Sequence, residues 1–335
     1  MWIWLVLVYG LIKGIREILK KKALEKSTAL EVLFLYTFIS FLIVTPEAVG
    51  AFDQDFSTLP IVAFKSFCIF LAWIFGFNSL KNIPVGIYSL LDLARVIFTT
   101  GLGVVVLGER LGVGEIVGCT LVCIGLLLLK FKPGMKNSDK ALPGGPKGNT
   151  QERENVSTLF VILTLGSAFL NAVSGMLDKY ILFNTSMKDG HLQFWYMLFL
   201  VLYYLLLVCV CKLAGALRSK KAVNAAEKGN DRALSDNKTV NKDSITYQMS
   251  SFNLKSALKN YWIWILAILF VIADRCLFIA NADPDSKVSI MTLIKQSCVL
   301  VTILAGRFIF HEKELLRKLI CAAIVVSGIM ISILL

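Results

Sequence analysis

The chain has 335 residues, of which 56% are hydrophobic and only 17% are charged, and its formal net charge is +12. Soluble domains are nearer to half apolar and a quarter charged, whereas here the apolar residues gather into runs of about twenty, enough for a helix to cross roughly 30 Å of hydrocarbon. This composition excludes an ordinary soluble domain and predicts an all-α polytopic membrane protein.

The apolar runs predict ten transmembrane helices. In chain order they cover 2–22, 29–48, 58–79, 84–107, 112–131, 158–182, 191–213, 259–281, 285–308 and 315–334. Two segments between them are polar: 132–157 is rich in Pro, Gly and charges, and 214–257 is rich in Lys, Asn, Asp and Ser. We therefore expect a first unit of five helices over 1–131, a polar linker over 132–157, and a second unit of five helices over 158–335 that contains the loop 214–257.

The two halves of the sequence resemble each other. Setting Glu109 against Glu312 aligns the region from Lys81 with the region from Pro284 without a gap. Further back, a shorter similarity relates 19–24 to 177–182. Because an odd number of spans makes the second half enter the membrane from the opposite side, we predict that the repeats are inverted.

Basic residues are concentrated in the loops on one side of the predicted membrane. The loops on the side of the N-terminus contain Arg110, Lys188 and Lys287, whereas the other side holds Lys20–Lys22 and both long polar segments. The positive-inside rule then makes the polar segments cytoplasmic, puts both termini outside and favours a plasma or inner membrane. Contact with anionic lipid accounts for the net charge, and no basic stretch interleaves with stacking aromatics as nucleic-acid binding requires.

Motifs around the fourth and fifth predicted helices resemble a known family. They read LGERL at 107–111, EIVG at 115–118 and GLL at 125–127, and a looser second copy has FHEK at 310–313 and GI at 328–329. This pattern is similar to the signature of the EamA domain, which defines the ten-helix drug/metabolite transporter superfamily. The resemblance implies two inverted five-helix repeats around a central cavity, with alternating access and transport of small metabolites or drugs. Members of that superfamily are usually drawn with cytoplasmic termini, so the resemblance and the charge count imply opposite orientations.

Ionisable residues near the middle of the predicted helices are the main site candidates, because an unpaired charge at that depth costs several kcal/mol. They are Asp92 and Arg95 on the fourth helix, Asp274 and Arg275 on the eighth, and Lys295 on the ninth. Asp92 and Lys295 occupy equivalent repeat positions, so they either line one cavity or form a buried ion pair between the halves. Arg95 is one turn after Asp92, and pairing of these two would leave Lys295 for an anionic group. Asp274 and Arg275 point about 100° apart, so we expect one of them to face the cavity and the other a neighbouring helix.

Uncharged candidates for the same site are two aromatic and three hydrogen-bonding residues. They are Trp73, Tyr88, Asn78, Thr292 and Gln296. The aromatic rings can pack against an organic substrate, and the polar side chains can donate hydrogen bonds to it. Plain packing or interfacial anchoring and hydrogen bonds between helices are the alternative roles.

The candidate charges near mid-membrane are mainly basic, which favours a ligand with a carboxylate or phosphate group. The leading hypothesis is a secondary active transporter that exports or exchanges a small polar metabolite, amino acids included, by alternating access. In it, Lys295 binds the anionic group and Asp92 or Asp274 relays a proton. Efflux of cationic or amphipathic drugs is the first alternative. A membrane receptor or scaffold that does not transport is the second.

The sequence also predicts what the protein works with. It contains no nucleophile–base constellation, no P-loop and no metal-ligand spacing, so we expect neither an enzyme nor a bound cofactor or metal. The expected partners are a small-molecule substrate, a proton or counter-substrate, and membrane lipids, but no nucleic acid. We expect the chain to act as a monomer or a homodimer.

Overall fold

The computed structural model describes residues 2–53, 56–108, 112–130, 158–227, 254–295, 298–310 and 315–334, and these contain no strand. Their helices are α1 (Trp2–Lys26), α2 (Ala29–Val44), α3 (Leu59–Asn82), α4 (Val85–Asp92), α5 (Ala94–Leu107), α6 (Val113–Lys130), α7 (Thr158–Asn184), α8 (Asp189–Glu227), α9 (Leu254–Leu258), α10 (Tyr261–Ala282), α11 (Val288–Lys295), α12 (Cys298–Phe310) and α13 (Leu315–Leu334). Short 3-10 turns over Thr45–Ala48, Ala51–Asp53 and Phe56–Thr58 lie between α2 and α3. The predicted all-α class is confirmed for this part of the chain.

Among the residues that the structure describes, six helical segments are long and apolar enough to cross a membrane. They are Ala29–Ala48, Phe56–Asn82, Val85–Val106, Thr158–Asn184, Asp189–Val210 and Tyr261–Ala282. The other predicted spans, 2–22, 112–131, 285–308 and 315–334, are helical over most of their described residues. However, α1 carries many charges in its second half, and α12 and α13 contain only short apolar stretches. Membrane crossing by these four, and hence the count of ten, remains a prediction.

Local sequence signals set several helix ends. Thr28 and Glu31 form a capping box at the start of α2, in which the Glu31 carboxylate accepts from the Thr28 backbone N–H at 2.8 Å. Pro84 directly precedes α4, where a missing N–H costs no helical hydrogen bond. Gly108 ends α5 with a φ of 65°, a left-handed conformation that glycine adopts without a steric penalty. The glycine of the LGERL motif is thus a helix terminator, and Glu109 lies outside the described residues.

Two predicted elements have different bounds in the structure. The segment predicted as one helix over 84–107 is divided at Leu93, whose backbone N–H bonds to Leu90 O at 3.2 Å. The division leaves Asp92 at the end of α4 and Arg95 in the first turn of α5. Helix α8 extends to Glu227, well into the region predicted as the loop 214–257, because Ala and Lys in that region are good helix formers. The predicted linker 132–157 lies outside the described residues.

Two lysines make similar contacts to the turns before α4 and α11. Each donates from Nζ to acceptors at the end of a helix, where backbone carbonyls lack partners within the helix. Lys21 of α1 bonds to the carbonyls of Leu80, Lys81 and Ile83 at 2.6–3.2 Å, and Lys179 of α7 bonds to the carbonyls of Asn281 and Asp283 and to Ser286 Oγ at 2.8–3.3 Å. These lysines occupy matching positions in the similar segments 19–24 and 177–182. Each therefore fixes the turn that leads into α4 or α11.

The long helices of the described ranges pack against one another in pairs. Helix α1 packs along α10 and α3 packs along α7, while α12 contacts α1 and α5 contacts α7. Helices α2 and α8 pack against each other, as do α6 and α13. Three aromatic rings, those of Tyr36, Trp73 and Phe270, lie against one another with centroids 5.0–5.2 Å apart. They connect α2, α3 and α10 beside the central cavity.

The contact between α6 and α13 depends on a glycine from the repeated motif. A Cβ at Gly328 would lie 2.8 Å from Leu121 Cβ and 3.0 Å from Gly118 O. We therefore expect Gly328→Ala to destabilise the protein by about 1–3 kcal/mol, as overpacking does elsewhere, and to lower the midpoint of thermal unfolding in detergent. Gly101→Ala is the matched control, since a Cβ there meets nothing within 4 Å. Equal unfolding midpoints for both variants would show that α6 and α13 are not packed this closely.

Candidate functional site

A cavity of about 110 Å³ lies among α1, α3, α7 and α10, with α4, α5 and α11 completing its wall. Its aromatic and uncharged polar lining residues are Tyr9, Trp73, Phe77, Tyr88, Phe270, Phe278, Thr99, Ser167, Asn171, Ser174 and Thr292. The volume suits several water molecules or one small solute rather than a drug-sized ligand, whose pockets are typically about 300–1,000 Å³.

The cavity wall is rich in charge. Its cations are Lys13, Arg16, Lys20, Lys65, Arg95 and Lys295, and its carboxylates are Glu17, Asp178 and Asp274. Charges removed from bulk water are costly unless they are paired or hydrogen-bonded. The partner of each group therefore decides whether it stabilises the fold or remains available to a ligand.

Helix α1 supplies four of these charges from one face. Lys13, Arg16, Glu17 and Lys20 follow the three- and four-residue spacing that brings side chains to the same side of a helix. Lys20 Nζ lies 2.7 Å from Glu17 Oε1 and forms an ion pair within the helix. None of the four was among the predicted site residues, although their spacing in an otherwise apolar helix was the signal that could have identified them.

Asp92 is held between two cations. Its Oδ1 accepts from Arg95 Nη2 at 2.8 Å and its Oδ2 accepts from Lys13 Nζ at 2.9 Å. The pairing with Arg95 is the one that the spacing suggested. Lys295, the other partner considered, does not pair with Asp92, because α1 packs against α11 and α12 and brings Lys13 to that carboxylate. Asp92 itself is buried behind these cations and is not a lining residue of the cavity.

A second ion pair crosses from α3 to α7. Lys65 Nζ lies 2.8 Å from Asp178 Oδ1, and only 1% of the Lys65 side chain is exposed. The same ammonium lies 3.8 Å from the centroid of the Tyr196 ring, within cation–π range. Asp178 was not predicted as a site residue, since its partner lies more than a hundred positions away in the sequence.

The neighbours Asp274 and Arg275 point in different directions, as the helical geometry predicts. Asp274 lines the cavity and accepts a hydrogen bond from the Tyr196 hydroxyl. Arg275 instead lies outside the cavity, where Nη2 is 3.2 Å from Glu47 Oε1 and Nε is 3.6 Å from Asp189 Oδ2. Only the first of these two predicted residues therefore belongs to the cavity wall.

Two cations of the cavity form no ion pair with any residue that the structure describes. Arg16 donates from Nη2 to the Tyr36 hydroxyl at 3.1 Å and lies over the Phe270 ring at 4.5 Å, but its buried Nε and Nη1 have no hydrogen-bond partner. Lys295 lies 5.8 Å from the centroid of the Tyr9 ring and makes no hydrogen bond within the described ranges. These are the cations left available to an anionic ligand.

Some of the uncharged candidate residues line the cavity, and others do not. Trp73, Tyr88 and Thr292 line the cavity. Asn78 does not, because its side-chain amide donates to the carbonyl of Ile74 in its own helix at 2.8 Å. Gln296 lies outside the described residues. Within the part of the chain that is described, no three His, Cys, Asp or Glu side chains are grouped as a metal site would need.

Comparison with known proteins places this geometry in context. No curated protein matches the sequence. Twenty-seven chains of solved structures do match; one crystal structure aligns over 98% of this chain and 94% of its own, with a TM-score of 0.60 and 14% identity. A likeness at that identity establishes the shared fold alone, over nearly the whole of both chains.

The sequence of the first half matches a transporter family. Residues 1–131 match the EamA-like transporter family, the same range that was predicted as the first five-helix unit. This match and the six apolar helices make the protein an integral, multi-pass membrane protein. The resemblance drawn from the sequence motifs is thus confirmed by the match of residues 1–131 to the EamA-like transporter family.

Proposed function

We propose that the protein is a secondary active transporter that exports or exchanges a small metabolite carrying a carboxylate or phosphate group. The observation that carries this proposal is the cavity wall, which contains six cations and three carboxylates. Arg16 and Lys295 remain without an ion-pair partner among the described residues. A buried cation without a protein partner is stabilised by an anionic ligand.

We also propose that the transport cycle uses two inverted five-helix repeats and alternating access. Supporting this, Lys21 and Lys179 make equivalent contacts to the turns before α4 and α11. The pairs α1–α10 and α7–α3 are related in the same way, since each joins the first helix of one half to the third of the other. Asp92 ends α4 and Lys295 ends α11 at equivalent positions. Interrupted helices beside a central site recur in transporters built from inverted repeats.

Coupling and orientation are further parts of the proposal. Of the two carboxylates expected to relay a proton, Asp274 lines the cavity, whereas Asp92 is held by Lys13 and Arg95. We therefore assign the proton-carrying role on the return step to Asp274. The charge bias of the loops continues to favour a plasma membrane with the long polar segments in the cytoplasm.

Efflux of cationic drugs is the second candidate, and one observation favours it. Asp274 forms no ion pair within the described ranges, and it lies one turn from Phe270 in a wall that also contains Trp73. A carboxylate beside aromatic rings suits an organic cation. The excess of lining cations and the small volume weigh against it.

We expect anionic metabolites to stabilise the purified protein and amines to leave it unchanged. Thermal unfolding is measured with organic acids, phosphorylated metabolites, amino acids and quaternary amines. Lys295→Gln should weaken binding of the stabilising anion by roughly tenfold or more, because a charge-assisted hydrogen bond is lost. Uptake of the same labelled anion into proteoliposomes then tests transport.

The matched control for this experiment is Lys259→Gln, which removes one positive charge from an exposed turn. It should bind the anion like the unmodified chain. Stabilisation by amines that survives in Lys295→Gln would instead support drug efflux centred on Asp274. Anion binding without uptake into proteoliposomes would contradict the transporter proposal and favour a receptor.

A further inference from the structure

Most charged side chains of the cavity wall neutralise one another. The charged side chains that are left indicate which charged groups a ligand should carry. Lys20 pairs with Glu17, Lys65 pairs with Asp178, and Lys13 and Arg95 share Asp92. After these pairs, the lining charges without an ion-pair partner among the described residues are Arg16, Lys295 and Asp274. The wall therefore offers two cationic contacts and one anionic contact.

Arg16 is oriented for a carboxylate. Only 5% of the residue is exposed. Its Nη2 donates to the Tyr36 hydroxyl at 3.1 Å, its Cζ lies 4.5 Å from the centroid of the Phe270 ring, and its Nε and Nη1 are buried without hydrogen-bond partners among the described residues. The Nη2 group has a second hydrogen, which forms a donor fork with one of these two nitrogens and matches the two oxygens of a carboxylate in the bidentate geometry that arginine favours. The hydrogen bond and the ring hold the group in place before the ligand arrives.

Asp274 provides the opposite charge close to this guanidinium. It follows Phe270 by one helical turn on α10, so it lies on the same face as the ring over which Arg16 is placed. The Tyr196 hydroxyl donates to Asp274 Oδ2 and orients the carboxylate, while Oδ1 accepts no hydrogen bond from the described residues. A ligand ammonium bound here would be adjacent to a ligand carboxylate at Arg16.

Lys295 adds a second cationic contact on the same side of the cavity. Its ammonium lies 5.8 Å from the Tyr9 ring. Tyr9 precedes Arg16 by two turns of α1, which puts both on one face of that helix. Arg16 and Lys295 are therefore separate contacts along one wall, and they suit two anionic groups of one ligand.

We propose that the ligand is a small α-amino dicarboxylate: one carboxylate binds Arg16, the ammonium binds Asp274, and the second carboxylate binds Lys295. This inference rests on the proposed transport function and deepens it, because it names the charge pattern of the transported molecule. It also gives Asp274 one role in both directions of the cycle, since the same carboxylate binds the ammonium on the loaded step and a proton on the return step.

Three compounds with the same four-carbon skeleton test the charge pattern on the purified full chain. Aspartate carries all three charged groups, succinate lacks the ammonium, and asparagine has a neutral amide in place of the second carboxylate. By calorimetric titration in detergent, we expect aspartate to bind at least roughly tenfold more tightly than either analogue, since each lost charge-assisted contact costs about that much. Equal affinities for aspartate and succinate, or for aspartate and asparagine, overturn the proposal.

Two variants assign the preferences to residues. Asp274→Asn should remove the preference for aspartate over succinate, and Lys295→Gln should remove the preference for aspartate over asparagine. Each variant should leave the other preference in place. Crossed or unchanged preferences contradict the assignment, and the comparison of the three ligands on the unmodified chain stands even where a variant unfolds.

The failure of this inference differs from failure of the proposed function. If succinate binds tightly and aspartate binds no more tightly than succinate, the anion-transporter proposal stands, but Asp274 does not bind the ligand. Binding of 1,4-diaminobutane with no response to any of the three acids overturns both. Binding of none of these compounds also contradicts the amino dicarboxylate class.

Discussion

Asp92→Asn should destabilise the folded protein by about 3–5 kcal/mol, the range seen when one partner of a buried ion pair is removed. The reason is that one carboxylate holds two cations, Lys13 at 2.9 Å and Arg95 at 2.8 Å, and all three side chains are largely buried. Asparagine has a similar shape but removes the negative charge that these two cations share. The measurement is the unfolding equilibrium in mixed detergent, with the protein concentration held constant.

A second substitution, Lys13→Met, tests whether the loss of stability in Asp92→Asn is caused by the unbalanced charge. The double variant Lys13→Met, Asp92→Asn keeps one cation, Arg95, whose side chain is 17% exposed and reaches the cavity. It should therefore recover part of the lost stability relative to Asp92→Asn alone. A double variant that is less stable than the single one, or an Asp92→Asn variant as stable as the unmodified chain, would mean that Asp92 does not neutralise this pair. Either result would favour the earlier prediction that Asp92 binds the substrate.

The sequence was sufficient for those parts of the site that depend on local geometry. The pairing of Asp92 with Arg95 follows from a three-residue separation, and the divergence of Asp274 from Arg275 follows from the rotation of a helix between neighbours. The helices themselves follow from apolar runs. Each of these inferences uses distances of at most a few residues, which the helical repeat fixes.

Contacts between distant helices were not accessible in the same way. The pair of Lys65 with Asp178 depends on α3 packing along α7, and the pair of Lys13 with Asp92 depends on α1 lying beside α4. The division of the fourth predicted helix at Leu93 has no local signal, since neither Pro nor Gly occurs there. The repeat alignment related Asp92 to Lys295, but it could not predict that Asp92 pairs with Lys13 instead.

This arrangement separates charges that maintain the fold from charges that remain for a ligand. In ion pairs such as Lys65–Asp178 and Lys20–Glu17, each charge neutralises the other inside the wall. Arg16 is held by neutral groups, Tyr36 and Phe270, which position it without cancelling its charge. Substitutions in the first group should therefore change stability before ligand selectivity, and substitutions in the second should change ligand selectivity first.

Lys65→Met is the sharpest test of that division and should destabilise the protein by about 3–5 kcal/mol. Methionine fills a similar volume, but it leaves the Asp178 carboxylate buried beside α3 without its cation and removes the ammonium from the face of the Tyr196 ring. The double variant Lys65→Met, Asp178→Leu should regain most of the loss, since an apolar pair of similar volume often replaces a buried ion pair without cost. Unfolding midpoints of the three proteins give the comparison directly.

Lys20→Met is the matched control for this prediction. Lys20 lies 2.7 Å from its partner, as close as Lys65 is to Asp178, but the pair joins two residues of one helix and its lysine side chain is 12% exposed. Because Lys20→Met leaves the contact between α3 and α7 unchanged, it should lower stability less than Lys65→Met. Comparable losses in both variants would mean that the cavity wall responds to total charge and not to the ion pair between α3 and α7. A large loss of stability in Lys65→Met alone, recovered in the double variant, would show that the Lys65–Asp178 pair holds α3 and α7 together beside the cavity.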